Sequence, residues 1–117
     1  MNKAKFIGNA GSDVKVVTLP SGEIVARFNL ATSETFTNKE GAQETRTEWH
    51  PIVAWGKTAA VVEKFVRKGS CVVITAKAVN RKFQKEIDVP VTSKKSIKHT
   101  IDVYATEYQA YDITVMD

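Results

Sequence analysis

The chain has one cysteine, Cys71, in 117 residues, so no disulfide can form within it. A secreted scaffold held by bridges is excluded, and a reducing cytoplasm fits. Histidine is almost as scarce: His50 and His99 are the only two, and neither stands in metal-ligand spacing with Cys71 or with a carboxylate pair. Cys71 opens an apolar stretch and reads as a small buried hydrophobe rather than a nucleophile. No Gly-x-x-x-x-Gly-Lys-Ser/Thr loop occurs, which removes the Walker-type phosphate cradle. With these gaps, no cofactor, metal or enzymatic activity is expected. No apolar run approaches the ~18 residues of a membrane span. The opening Met1-Asn2-Lys3-Ala4-Lys5-Phe6 has basic residues but no apolar segment behind them, so no secretory signal is expected. The expected location is cytoplasmic.

Enough apolar sequence is present, at 43%, for one domain with a single unstapled core. The net charge is +4 and unevenly spread. Arg81, Lys82, Lys85, Lys94, Lys95 and Lys98 face only Glu86 and Asp88 in their stretch, whereas Asp102, Glu107, Asp112 and Asp117 follow with no Lys or Arg. Such a basic block suggests a polyanionic partner, with the acidic end held out of the contact; a solvated lysine-rich loop fits the charges equally well.

Alternation and turn residues predict short strands. Lys5 to Asn9 and Val14 to Leu19 read as one strand broken at Gly8, Gly11 and Ser12-Asp13, as at a bulge or barrel corner. After a Pro20-Ser21-Gly22-Glu23 turn, Ile24 to Glu34 alternates Ile24, Ala26, Phe28 and Leu30 with Arg27 and Asn29. Residues 35–46 are polar and read as a long exposed hairpin loop. Thr47 to Trp55 is a third strand, and Pro51 demotes part of it to an edge or a bulge. Lys57 to Lys68 is the one good helix, with Gly69 as its stop. Ser70 to Arg81 is a fourth strand with Val72, Ile74, Ala76 and Ala78 on one face. Residues 84–97 read as a loop or extended hairpin, and Lys98 to Tyr104 as a last strand. Five strands with a helix between the third and fourth is the pattern of an all-β OB-fold, a five-stranded, partly open Greek-key barrel. The expected division is a domain over residues 1–105 and a short acidic tail over 106–117.

Trp49 and Trp55, the only two tryptophans, are six residues apart. On a strand that even separation sets both rings on one face, flanked by Arg46 and Lys57, with His50 on the other face. Phe36 precedes this strand, and Phe83 follows Arg81-Lys82. Aromatic rings beside cations can stack unpaired bases and hold their phosphates. Filling a barrel core is the other reading, and general statistics of large aromatics favour it.

Several motifs in register carry a resemblance over roughly residues 2–105. Ile7-Gly8-Asn9, Phe28-Asn29-Leu30-Ala31-Thr32-Ser33-Glu34, Thr47-Glu48-Trp49-His50, Trp55-Gly56-Lys57, Arg67-Lys68-Gly69-Ser70 and Arg81-Lys82-Phe83 together resemble the bacterial single-stranded DNA-binding proteins. The resemblance implies an OB-fold, assembled as a homotetramer, that wraps single-stranded DNA in replication, recombination and repair. It implies base stacking by Phe36, Trp49, Trp55 and Phe83, and a subunit contact at His50. With the charge map, it nominates Arg46, Lys57, Lys68, Arg81, Lys82 and Lys85 for phosphates.

The chain also departs from the family. Two stacking positions that are commonly Trp are Phe here, and Trp55 stands where Phe is common. Pro51 replaces a basic or polar residue, and Val79 stands where Arg is frequent. Asp13-Val14-Lys15 replaces Asp-Pro-Glu, and residues 84–97 differ as a block. A Gly/Gln/Pro-rich tail with an acidic Pro-Phe tip does not occur in these residues, so recruitment of replication and repair proteins by that route is not expected. An OB-fold adaptor that binds protein and has lost DNA is the alternative function.

Overall fold

A computed structural model describes residues 1–116. The strands are β1 (Ala4–Ala10), β2 (Lys15–Thr18), β3 (Ile24–Thr37), β4 (Gln43–Trp55), β5 (Cys71–Thr92) and β6 (Lys95–Val115), with one helix, α1 (Gly56–Phe65), between β4 and β5. β1 and β2 are the two parts of the broken first strand. β1 pairs with β5 along Ala4 to Asn9 and crosses to β3 at Asn9↔Ala31 and Ala10↔Leu30. Gly8 allows that crossing, because a Cβ there would collide with the Ala31 carbonyl oxygen. β3 pairs antiparallel with β4, β4 parallel with β6, and β6 antiparallel with β5. The circuit β1–β5–β6–β4–β3–β1 closes a five-stranded barrel, the OB-fold expected from the element order.

Inward positions form the core. Leu30 of β3, Ile52 of β4, and Val72 and Ile74 of β5 are fully buried, and Val62 and Val66 plug the barrel from the helix side. β4 runs straight into α1 because Gly56 takes a left-handed φ of 57°, which costs glycine little. The helix is three residues shorter than expected at its end. Val66 leaves it in an extended conformation and is buried. The Arg67 guanidinium then donates to the Glu63 and Val66 carbonyls, and the buried Ser70 hydroxyl accepts the Arg67 N–H. These bonds satisfy groups that a longer helix would have used internally. Cys71 is half-buried rather than buried.

One loop reading needs correction, and the other is decided between its two alternatives. Residues 35–46 are mostly strand, with the turn confined to Asn38–Ala42. Asn38 organises it: its Oδ1 accepts from the Glu40 and Ala42 N–H groups at 2.9 and 3.0 Å. Residues 84–97 are the extended hairpin, in which β5 and β6 stay paired out to Thr92↔Lys95.

The expected tail is also corrected. Residues 106–115 belong to β6 and close the barrel through Ile52↔Tyr108 and Val72↔Val115; Asp117 lies outside the described residues. Tyr108 and Ala110 face inward, as do Ile113 and Val115, but the two pairs differ in parity. A bulge at Tyr111, between Ala76↔Ala110 and Thr75↔Asp112, switches the phase. That switch hid the strand from a period-two reading of the sequence.

Candidate nucleic-acid interface

None of the four nominated rings is core. Trp49 is 59% exposed, and Phe36, Trp55 and Phe83 are each near 38%. Large rings left this open on a strand face need a reason beyond packing. Regular β3–β4 register keeps Trp49, Pro51, Val53 and Trp55 on the outward face, as strand parity requires. Pro51 sits where β4 has a partner on one edge only, since pairing with β6 spans Ile52 to Ala54. The missing N–H therefore breaks no ladder, and the edge reading of Pro51 holds.

Two adjoining clefts cross this outward face. One, of ≈ 380 Å³, is lined by Ser12, Asp13, Lys15, Asn29 and Pro51. The other, of ≈ 560 Å³, is lined by Val53, Trp55, Val79, Arg81, Lys82 and Gln109. Both include Arg27 and Glu107, so this pair marks their common boundary. Arg81 also lies 5.5 Å from the Phe83 ring centroid, a cation–π contact that extends the second cleft toward the β5–β6 arm.

The other nominated residues sit at different places. Trp49 stands over Gly11, where any Cβ would overlap the indole. The turn bearing Lys68 is held nearby, with the Gly69 N–H donating to the Ala10 carbonyl at 2.7 Å. Phe36 and Arg46 share the opposite pleat face of the β3–β4 arm, 5.4 Å apart in a second cation–π pair. Pleat parity alone does not put Phe36 on one platform with Trp49; the twist of a two-stranded ribbon would have to bring a wrapping ligand round to it. Lys57 lines a separate cleft with Tyr111 and Asp112, between α1 and β6. Lys82 pairs with Asp102 at 3.5 Å and lies 5.8 Å from the Tyr104 ring. Lys85 is exposed on the β5–β6 arm. His50 points inward at the barrel mouth. It packs on Phe6 at 4.4 Å between centroids, has Tyr108 at 5.8 Å, and its Nε2 lies 2.8 Å from the Thr32 hydroxyl.

Three residues escaped the sequence reading. Arg27 is the outward neighbour of Val53; its place in an alternating strand marked it as outward, but not as cleft-lining. Tyr104 is 70% exposed beside Lys82. Glu107, assigned to the tail, lies instead between two arginines. Its Oε1 accepts from Arg27 Nη1 at 2.7 Å and Arg81 Nη1 at 3.0 Å. Burial opposes ionisation of this carboxyl, but the hydrogen bonds and positive charges of Arg27 and Arg81 outweigh it and hold its pKa below the ordinary glutamate value. The acidic end is thus not held clear of the cationic face.

The sequence model of the Single-strand binding protein family matches residues 1–106. The chain belongs to this family. Similar curated members include Single-stranded DNA-binding protein 1 of Chlorobaculum tepidum, 36% identical over 99% of this chain and 65% of that protein. The Single-stranded DNA-binding protein of Neisseria meningitidis serogroup A is 38% identical over 72% of this chain and 48% of its own length. The chain therefore spans between about half and two thirds of these relatives. Among solved structures, the Plasmodium falciparum SSB complex with ssDNA superposes with a TM-score of 0.79 at 26% identity, covering 100% of this chain and 96% of that one. The single-stranded DNA binding protein of Thermus aquaticus, in a deletion mutant, shares the fold with a TM-score of 0.77 at 18% identity, over 100% of this chain and 51% of that one. The solved relatives thus share the barrel fold of this chain. Among the described residues, no helix is long and apolar enough to cross a membrane.

Proposed function

We propose that the protein is a non-enzymatic binder of single-stranded DNA that tolerates any base sequence and serves replication, recombination and repair. The observation that carries this is the exposure of Trp55 in a cleft shared with Arg27, Arg81 and Lys82. An indole offers a stacking surface to any base, and the cations meet the backbone that every sequence shares. Trp49 at one end of the face and Phe83 at the other lengthen the path, and Phe36 with Arg46 extends it onto the β3–β4 arm. Lys57, Lys68, Lys82 and Lys85 add phosphate contacts along its margins. The family membership and the DNA-bound relative support the same reading. Pro51 stands where the resembled family usually has a basic or polar residue and Val79 where it often has arginine, so the grip on the backbone there is weaker.

The test is titration with oligo-dT, following tryptophan emission at several salt concentrations. Binding quenches the emission, and log affinity falls with log salt by ~0.7 per phosphate neutralised. Unchanged emission with no complex would sink the proposal. Trp55→Ala weakens binding to all sequences alike, by ~1–3 kcal/mol per lost stack. A gel shift with single- against double-stranded DNA separates this reading from a protein-binding adaptor.

The protein also assembles as a homotetramer in this reading, with His50 near a subunit contact. The observation in support is an apolar face on the β5–β6 arm. Ile87, Val89, Ile97 and Ile101 share one pleat face there with Lys85 and His99, and Val89 and Ile97 are exposed.

A further inference from the structure

Glu107 is out of place on a surface built for a polyanion. It lines both clefts, and its side chain is only 15% exposed, whereas those of Arg27 and Arg81 are 44% and 53% exposed. One carboxylate oxygen takes an Nη1 donor from each arginine, at 2.7 and 3.0 Å. A backbone phosphate entering between these guanidiniums would use the same donors and the same charge. Three strands fix the arrangement. Arg27 comes from β3, Arg81 from β5 and Glu107 from β6, with Glu107 opposite Val79 and Val53 joining Arg27 to Gln109. Two arginines and one glutamate leave a single net positive charge where two cations stand.

We propose that Glu107 is a resident phosphate mimic that competes with the DNA backbone for Arg27 and Arg81. It rests on the DNA-binding reading and adds an internal brake to it. In the free protein the carboxylate keeps both guanidiniums paired. On binding, a phosphate must share or take their donors, and the cluster neutralises one phosphate rather than two. The gain is discrimination by geometry. Only a ligand that also stacks on Trp55 and Phe83 overcomes the competitor, so a bare polyanion is held weakly. Glu107 is a positioning and specificity residue here, acting through the two arginines.

The experiment compares wild type with Glu107→Gln in oligo-dT titrations from low to high salt, using the full chain. Glutamine keeps the size and one acceptor but removes the charge. The variant is expected to bind with a log–log salt slope steeper by ~0.7, and about fivefold more tightly at 0.1 M salt, the effect of one more neutralised phosphate. It should also gain affinity for inorganic polyphosphate, which has phosphates but no bases. Equal or weaker DNA binding at an unchanged slope would overturn the proposal, and would mean that Glu107 serves only to hold the arginines. Absence of DNA binding in wild type and variant alike would instead overturn the DNA-binding reading, and this inference with it.

Arg81→Gln in both backgrounds guards against a folding artefact. It is expected to cost more affinity in Glu107→Gln than in wild type, because only there is its charge free for phosphate. Equal losses in the two backgrounds would contradict competition.

Discussion

A methyl group at position 11 would overlap the indole of Trp49. Gly11 is therefore the floor on which the Trp49 ring, proposed above to stack a base, rests, although its own backbone has no unusual φ. The side chain of residue 11 and the pose of residue 49 are thus one variable. Gly11→Ala is expected to displace the ring and lower oligo-dT affinity toward that of Trp49→Ala, within the ~1–3 kcal/mol of one stacked base. Adding Gly11→Ala to Trp49→Ala should then cost nothing further, because the ring it disturbs is gone. Additive losses in fluorescence titrations would show that Gly11 acts elsewhere. Parity already placed Trp49 and Trp55 on one face in the sequence. The contact with Gly11 was not legible there, because the two residues are 38 apart and meet only once β1 has crossed to β3. Glu107 was illegible for a different reason: counted with its acidic neighbours it belonged to a charge block, and only the fold set it beside Arg27 and Arg81.

At the scale of elements, Glu107 ties β3 and β5 together through β6, across the part of the barrel where β4 and β6 pair for only three residues. Its pKa is depressed in the folded state by the two arginines, whose effect exceeds the opposing effect of burial. The sign follows from linkage. A carboxyl with a lower pKa folded than unfolded contributes stability that is fully present above its unfolded pKa and is lost as pH falls through its folded pKa. Thermal melts of wild type and Glu107→Gln should differ most near neutral pH and converge in acid, below the ordinary carboxylate range. A gap between the two that stays constant with pH would exclude the charged contact as its source. The order of elements was legible from alternation and turn residues, down to the broken first strand and the edge role of Pro51. Element lengths were not. In residues 35–46 both faces of the ribbon are wet, so hydrophobic alternation had nothing to report. In residues 106–115 the Tyr111 bulge reversed the alternation midway.

The whole molecule is much less compact than its length suggests. Its radius of gyration is 18.4 Å, against about 13 Å expected for a compact domain of this size. Two ribbons projecting from the barrel account for the difference, the β3–β4 arm to Thr37 and Gln43 and the β5–β6 arm to Thr92 and Lys95. A two-stranded ribbon is marginal in water unless its apolar face is covered. On the β5–β6 arm one face carries Gln84, Glu86 and Asp88 opposite Asp102, Thr100 and Lys98, whereas the other carries Ile87, Val89, Ile97 and Ile101, with Lys85 beside Ile101 and His99 beside Ile87. Burying that second face against another copy of the chain would remove apolar surface from water at about 25 cal/mol per Å². A carboxylate at position 97, opposite Val89, would cost more to bury than the apolar contact returns. Ile97→Asp is therefore expected to shift the assembly toward smaller species in native mass measurement or light scattering. The barrel's thermal transition should move little, since Ile97 is 56% exposed and touches none of the core. A wild-type chain that is monomeric at micromolar concentration, or an Ile97→Asp variant with unchanged mass, would show that the arm's apolar face is not what joins the subunits.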